Sequence, residues 1–184
     1  MQTRQEIAGV ALGLFQRDGY AGVSVEKIAA AAGVSLRTFY RYFPAKEDVL
    51  APILEEGTED FAAAVMQRPA DEDLATAARR AYAQIAPGSE GQLRVRSLIK
   101  LLVEVSVLRA RWLAALRMIE DRLVPAVTQR VDRQLSELET QLTAAAIVTA
   151  LRVSLELWAA EDSHEYLADV FGRALDQLDA GARL

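Results

Sequence analysis

Residues 24–42 read SVEKIAAAAGVSLRTFYRY and hold two short helical patterns joined by a glycine. In the first pattern, Ile28, Ala29 and Ala32 recur at offsets of three and four residues, which places them on one helix face. Gly33 can adopt the positive φ that ends this helix and turns the chain. The stretch therefore predicts a helix, a tight turn and a second helix.

The second pattern is short and carries its polar side chains on one side. Ser24 and Ser35 precede the two patterns, and their hydroxyls can cap the free N–H groups of the helices. Val34 and Phe39 supply the inner face of the second helix, and only about seven residues follow Gly33, fewer than in an average helix. A helix this short buries little surface, so packing alone does not explain its presence.

The outer side of this second helix carries Arg37, Thr38, Tyr40 and Arg41. Exposed arginine and tyrosine on a short helix behind a turn are typical of a helix that enters the DNA major groove. The alternative interpretation is an ordinary helical hairpin, which is common in all-α proteins. The shortness of the helix and its cationic side favour DNA binding.

The flanking sequence completes a small three-helix unit. Apolar residues at helical spacing predict a first helix over residues 3–18. In FPAKEDVL, residues 43–50, Phe43 closes the small core, Pro44 breaks the second helix, and Lys46 opens a long new one over residues 46–66, kinked at Pro52. A DNA phosphate beside Lys46 would form an ion pair with its ammonium group and would accept hydrogen bonds from the helix N–H groups.

The run GYAGVSVEKIAAAAGVSLRTFYRYFPAKEDVL, residues 19–50, resembles the TetR family of bacterial transcription regulators. The resemblance implies an all-α fold of about nine helices. It implies a three-helix DNA-binding head over residues 1–46 and a helical effector-binding and dimerisation domain over residues 47–184. Beyond residue 50 the chain resembles the family only in its length and helicity.

By this resemblance, Tyr40 and Lys46 lie where family members contact phosphates, and Arg37, Thr38 and Arg41 lie where bases or backbone are read. Arg41 and Tyr42 replace a frequent Tyr-His pair, so single base contacts are not carried over. The predicted DNA-binding residues are Ser24, Ser35, Arg37, Thr38, Tyr40, Arg41, Tyr42 and Lys46.

The charge distribution agrees with a DNA-binding head. The chain carries a net charge of −5, from 21 basic and 26 acidic residues. Residues 1–46 hold six basic and three acidic side chains, so the head is positive and the body holds the whole negative excess. A basic head on an acidic body favours DNA contact through the head alone.

Composition argues against other classes. The chain has no cysteine and one histidine, His164, which rules out thiol catalysis and Cys/His zinc sites. His164 stands beside Asp162 and Glu165 and is interpreted as a solvent-facing residue. No nucleophile–base pair, glycine-rich phosphate loop or metal-spaced cluster is present, which predicts a protein that is not an enzyme and needs no cofactor or metal. The densest carboxylate group is interpreted as a solvated helix face: Glu55, Glu56, Glu59 and Asp60.

The longest uncharged run, residues 140–151, is shorter than the ~20 apolar residues of a membrane span. The prediction is a cytoplasmic protein with no membrane partner. The body itself reads as consecutive helices, with the clearest loop at APGSEGQ, residues 86–92, and with a seventh helix bent at Pro125 and continuing toward residue 135.

Two sets of residues in the body are predicted to bind partners. In the resembled family, helices four to seven enclose a ligand cavity, which implies an effector site; the alternative for each residue is plain core. The predicted effector residues are Phe61, Val65, Tyr82, Leu102, Trp112, Leu116, Arg117 and Glu120. Small and apolar residues on the last two helices predict a homodimer interface, with an internal core as the alternative. The predicted interface residues are Ala145, Thr149, Leu155, Trp158, Val170, Phe171, Ala174 and Leu178.

The sequence as a whole predicts a ligand-responsive DNA-binding regulator. It would be a repressor that a small apolar or amphipathic effector releases from a near-palindromic double-stranded operator. A two-fold dimer would place its two reading helices about 34 Å apart, one turn of DNA. The alternative is a helical ligand-binding dimer whose DNA head is not used.

Overall fold

A computed structural model describes residues 3–130, 135–160 and 165–181 of the chain. Within these residues the protein is all-α, as predicted, with no strand. The helices are α1 (Arg4–Asp18), α2 (Val25–Ala31), α3 (Leu36–Tyr42), α4 (Ala51–Met66), α5 (Leu74–Ile85), α6 (Ser89–Glu104), α7 (Ser106–Gln129), α8 (Glu137–Ala160) and α9 (Leu167–Asp179), with a 3-10 helix (Lys46–Leu50) between α3 and α4.

The first three helices form the predicted helix-turn-helix unit. The Ser24 hydroxyl accepts a hydrogen bond from the Lys27 N–H at 3.2 Å, and the Ser35 hydroxyl accepts one from the Thr38 N–H at 3.1 Å. Both predicted caps are therefore confirmed. Gly33 has a φ of 66°, so the turn uses the left-handed conformation that glycine adopts without a steric penalty.

The core of this unit is apolar and closed. Ile28, Phe39 and Phe43 are fully buried, and Ala29 lies almost fully buried in the same cluster. Burying a phenylalanine side chain is worth about 1.5–3 kcal/mol. Phe39 therefore anchors the inner side of α3 and fixes which side of that helix faces outward.

The segment after α3 differs from the prediction of one kinked helix over residues 46–66. A 3-10 helix, Lys46–Leu50, comes first, and α4 begins at Ala51. Pro52 lies in the first turn of α4, where its missing N–H costs no intrahelical hydrogen bond. The proline thus starts a helix instead of kinking one.

Two predicted boundaries in the body were also wrong. Helix α6 begins at Ser89 after Gly88, inside the predicted loop over residues 86–92. Helix α7 passes Pro125 and ends at Gln129, short of residue 135. The Arg130 guanidinium links the end of α7 to the end of α4, because it donates 2.8 Å hydrogen bonds to the carbonyl oxygens of Val65 and Arg68.

Helix α4 connects the two parts of the chain. It packs against α1 on the head side and against α5 and α7 in the body. One continuous hydrophobic cluster includes Phe43 and Leu50 from the head side and Phe61 and Trp112 from the body. Packed side chains therefore run continuously from the head into the body.

Helix α8 is long and apolar enough to cross a membrane by length and composition, with a mean hydropathy of 1.4 over its best window. The core helix of a globular protein passes the same test, and 44% of that window is buried inside the fold. Helix α8 packs against α6, α7 and α9. It therefore behaves as a core helix with one side left open.

Candidate DNA interface and ligand cavity

Helix α3 has one buried side and one open side. Phe39 is fully buried, whereas Arg37, Tyr40 and Arg41 are exposed and Thr38 is half-buried. The Tyr40 ring is 51% exposed and stands edge-on to Phe39 with a centroid separation of 5.6 Å. The contact with Phe39 therefore supports the Tyr40 ring, which carries its hydroxyl at the surface of α3.

The two arginines of α3 differ in how they are held. Arg37 forms no hydrogen bond or ion pair with any other residue in the part of the chain that the structure describes. The Arg41 guanidinium lies 4.9 Å from the Tyr42 ring centroid, and half-buried Tyr42 packs against Phe43. No acidic residue occurs in the first turn of α3, so this side of the helix is cationic and uncompensated.

Other cations of the head are already paired. Arg17 and Lys27 both contact the Asp18 carboxylate at 2.8 Å. The hydrogen bonds from Arg17 and then Lys27 hold the pKa of Asp18 well below its usual range. These pairs fix the end of α1 beside α2, whereas Arg37 is a charge without a partner among the described residues.

Lys46 is anchored by the fold. Its ammonium donates to the carbonyl oxygens of Tyr20 at 2.9 Å and Val23 at 3.0 Å, and it lies 3.8 Å from the Tyr20 ring centroid. An ammonium has three donors, so one remains for a further acceptor. Ser24 and Ser35, also predicted to bind DNA, use their hydroxyls as helix caps.

A largely apolar cavity of about 330 Å³ lies in the body between α4, α5, α6, α7 and α8. Five of the predicted effector residues line it: Phe61, Tyr82, Leu102, Trp112 and Leu116. Burial raises the pKa of the Tyr82 hydroxyl, and its ring packs edge-to-face on Phe61 and Phe171. The cavity wall thus includes two aromatic rings, Phe61 and Tyr82, that pack against each other.

Three predicted effector residues do not line this cavity. Val65 is fully buried in the core of α4. Arg117 and Glu120 form an ion pair with each other on the outside of α7, and Arg117 also contacts Asp121 at 3.3 Å. The helical turn carries the two charges away from the cavity, so the prediction of an internal polar role for them was wrong.

The polar groups at the cavity come from α4 instead. Thr58, Glu56 and Asp60 belong to its lining, and the last two are exposed and therefore lie at its opening. Sequence reasoning missed them, because it treated these carboxylates as part of a uniformly solvated face. Their four-residue spacing beside Phe61 was the available indication.

The predicted dimer residues fall into two groups. Leu155, Trp158 and Phe171 are buried inside the chain itself, so they cannot form a partner surface. Leu155 lines the cavity, and the Trp158 indole donates to the Glu165 carbonyl at 2.9 Å. Thr149 and Leu178 are exposed, and the remaining predicted interface residues are half-buried: Ala145, Val170 and Ala174.

The carboxylates and histidine considered for metal or acid–base chemistry add nothing to these two sites. His164 and Asp162 lie outside the described residues. Among the residues that the structure does describe, no group of three acidic, histidine or cysteine side chains is arranged to hold a metal ion. The two candidate sites are therefore an exposed cationic helix and a largely apolar cavity that opens to solvent beside α4.

A helix-turn-helix unit with an open cationic helix, joined to an all-helical body with an internal cavity, defines a class of DNA-binding regulators. The family described as bacterial regulatory proteins, tetR family, matches residues 7–53, and the MftR C-terminal domain matches residues 70–183. The chain belongs to the TetR family. It is a transcriptional regulator and not an enzyme.

Relatives and solved structures match nearly the whole chain. The HTH-type transcriptional regulator TcmR of Streptomyces glaucescens is 30% identical over 188 positions, which cover 96% of this chain and 83% of that protein. FadR of Thermus thermophilus in complex with lauroyl-CoA has a TM-score of 0.59 at 25% identity, covering 99% and 96% of the two chains. The multidrug binding protein EbrR complexed with malachite green has a TM-score of 0.66 at 23% identity, covering 97% and 98%.

Proposed function

We propose that the chain is a ligand-responsive repressor that binds a near-palindromic operator through residues 1–46 and binds its effector and its partner subunit through residues 47–184. The observation that carries the proposal is the outer side of α3, where exposed Arg37 has no partner among the described residues. An uncompensated guanidinium on a braced helix suits a bidentate contact to guanine in the major groove. We place the protein in the cytoplasm, where its DNA is.

The proposed DNA surface has two parts. Arg37, Thr38 and Arg41 are proposed to contact base edges or the DNA backbone, because they lie on the open side of α3. The Tyr40 hydroxyl and the remaining N–H of the Lys46 ammonium are proposed to donate hydrogen bonds to phosphates. Ser24 and Ser35 act by capping α2 and α3, which aims their backbone N–H groups, and half-buried Tyr42 supports Arg41.

A homodimer is supported by an open apolar stripe on the last two helices. On α8, Leu138 is 68% exposed, Leu142 59% and Leu157 55%, with Thr149 between them at helical spacing. On α9, Val170, Ala174 and Leu178 follow at four-residue spacing from Tyr166, the residue just before the helix. Large leucines left open in a row are typical of a protein–protein interface. Two-fold pairing through this stripe would present two copies of α3 to one operator.

The effector is proposed to occupy the cavity between α4 and α8. FadR of Thermus thermophilus holds lauroyl-CoA and EbrR holds malachite green, which supports a ligand role for the equivalent body here. In this chain the lining is largely apolar and includes Phe61, Tyr82 and Trp112. Such a lining suits a small apolar or amphipathic molecule.

The proposed route from ligand to DNA runs through α7 and the 3-10 helix. Trp112 lines the cavity, and its neighbour Arg111 contacts the Asp48 carboxylate at 2.8 Å. Asp48 in turn accepts a 3.0 Å hydrogen bond from the N–H of Ala45, three residues after the end of α3. A ligand that binds the released state more tightly shifts α7 and this link together, and it weakens operator binding by an ordinary coupling of about 1–3 kcal/mol.

The test is selection of genomic DNA fragments by the purified full-length protein, followed by gel shift on the selected sequence. The proposal expects a near-palindrome with half-sites one helical turn apart, bound more tightly than random DNA by about 10³-fold or more. Equal affinity for selected and random DNA would favour a ligand-binding dimer whose DNA head is not used.

A further inference from the structure

The opening of the body cavity carries two carboxylates, Glu56 and Asp60, that form no ion pair with any described residue, while the nearby Arg122 guanidinium donates a 2.9 Å hydrogen bond to the Thr58 hydroxyl. Helix α4 exposes four carboxylates in two consecutive pairs, Glu55 with Glu56 and Glu59 with Asp60. Glu55 is paired with Arg4 at 3.7 Å, and Glu59 with Arg122 at 3.0 Å. Neither of these two lines the cavity.

The two carboxylates that line the cavity, Glu56 and Asp60, form different contacts from Glu55 and Glu59. Glu56 accepts a hydrogen bond from the neutral amide of Gln5, and neither it nor Asp60 forms an ion pair with any described residue. They stand four residues apart on one helix face, where like charges repel. Each is exposed, so the negative charge stands at the opening and not in the core.

The rest of the lining provides no positive charge. Among the described residues that line the cavity there is no lysine, arginine or histidine. The deeper wall is apolar and includes the rings of Phe61, Tyr82 and Trp112. Aromatic faces attract cations and repel anions, and tryptophan does so most strongly.

From this charge pattern we infer that the effector is a lipophilic cation, an aromatic or aliphatic body carrying an ammonium, amidinium or similar positive group. The apolar part fills the space beside Trp112, and the positive group lies between Glu56 and Asp60 at the opening. An anionic ligand, such as a fatty acid or a phosphate ester of comparable size, meets repulsion at that opening. This inference rests on the proposed effector site and adds the sign of the ligand's charge.

Two probes of nearly equal shape and opposite charge test the sign directly. Tetraphenylphosphonium and tetraphenylborate each present four phenyl groups around a charged centre. Isothermal titration calorimetry on the full chain is expected to give tighter binding of the cation by about tenfold, as two carboxylates near the opening would provide. The preference should shrink at high salt, because exposed charges are screened.

Substitutions test whether Glu56 and Asp60 cause the preference for the cation. Glu56→Gln combined with Asp60→Asn should lower the affinity for tetraphenylphosphonium by about tenfold and leave tetraphenylborate binding unchanged or tighter. The matched control, Asp71→Asn with Asp169→Asn, changes the net charge equally at exposed sites away from the cavity and should have little effect.

Equal or tighter binding of the anion, no binding of the cation, or an equal loss in the control would overturn the inference. Gel shift with the selected operator separates this result from the proposed function. An operator-binding protein that prefers the anion contradicts only the ligand class. A cation that binds in the cavity without releasing DNA supports the ligand class and contradicts the proposed response.

Discussion

Arg37 is the residue on which specific DNA binding is expected to depend. Arg37→Ala should weaken operator binding by about 1–3 kcal/mol if the guanidinium reads a base edge. The free energy of unfolding should change by less than about 0.5 kcal/mol, because the side chain is exposed and has no partner among the described residues. Gel shift and urea denaturation measure the two quantities.

The control for this prediction is Arg117→Ala, which removes an exposed arginine from the outside of α7. It should leave operator affinity unchanged. If Arg37→Ala weakens binding to operator and to random DNA equally, the side chain contacts phosphate, and base reading must be assigned to other residues of α3.

Gly33 is the residue on which the angle between α2 and α3 depends. Its φ of 66° lies in a region that costs an L-residue about 1–2 kcal/mol, so Gly33→Ala should destabilise the fold by about that amount. Gly13→Ala should act in the opposite direction by about 0.5–1 kcal/mol, because Gly13 is an exposed α1 residue with open space around the added methyl. Urea denaturation compares them, and an equal effect of both changes would contradict the conformational argument.

At the scale of an element, local chemistry decided what the sequence could predict. Ser24, Ser35 and Gly33 act on their own backbone within three residues, so the pattern of residue types was sufficient to predict α2, the turn and α3. The start of α4 was misplaced because Pro52 was interpreted as a kink, whereas it lies in the first turn of α4. The Arg111–Asp48 ion pair between α7 and the 3-10 helix joins elements that are far apart in sequence, and such contacts leave no local pattern.

The rotation of α8 could not be predicted for a related reason. Its central turns are small or apolar on every side, so no polar stripe indicates which side faces solvent. Thr149 and Leu155 were assigned to one surface, yet Thr149 is exposed and Leu155 lines the cavity. Which side faces inward is settled by the helices that pack on it, and these are far away in sequence.

The ion pair between α7 and the 3-10 helix gives a prediction about coupling. Arg111→Ala should leave operator affinity and ligand affinity, each measured alone, close to those of the unaltered protein. The change in ligand affinity caused by operator should fall by about 0.5–2 kcal/mol, because α7 loses its direct contact with Asp48. Calorimetric titration of tetraphenylphosphonium, with and without operator DNA, measures the difference.

The matched control for coupling is Arg109→Ala, two residues earlier on α7, whose guanidinium stands 4.0 Å from Glu156 on α8 and does not contact the 3-10 helix. Its coupling should match that of the unaltered protein. Equal coupling in both variants would mean that the signal passes through the packed side chains of α4 and not through this ion pair.

At the scale of the whole molecule, the proposed homodimer would let two copies of the seven-residue helix α3 bind one operator together. A single α3 reaches only a few base pairs, so the affinity of one head for its half-site is low. Pairing two heads on a rigid body makes the second contact intramolecular and multiplies the affinity without any new type of contact. The open stripe on α8 and α9 should therefore matter to DNA binding although it lies in the body, away from the head.

Leu142→Asp tests this dependence, because Leu142 is 59% exposed and belongs to the stripe on α8. A carboxylate there should convert the dimer into monomers at micromolar concentration in sedimentation analysis, since the charge would be buried without a partner. Operator affinity should fall by at least tenfold in parallel, while the helical content of the monomer is retained. Leu113→Asp, at a 44% exposed site on α7, is the control and should leave both quantities unchanged. A Leu142→Asp protein that remains dimeric would move the subunit interface away from α8.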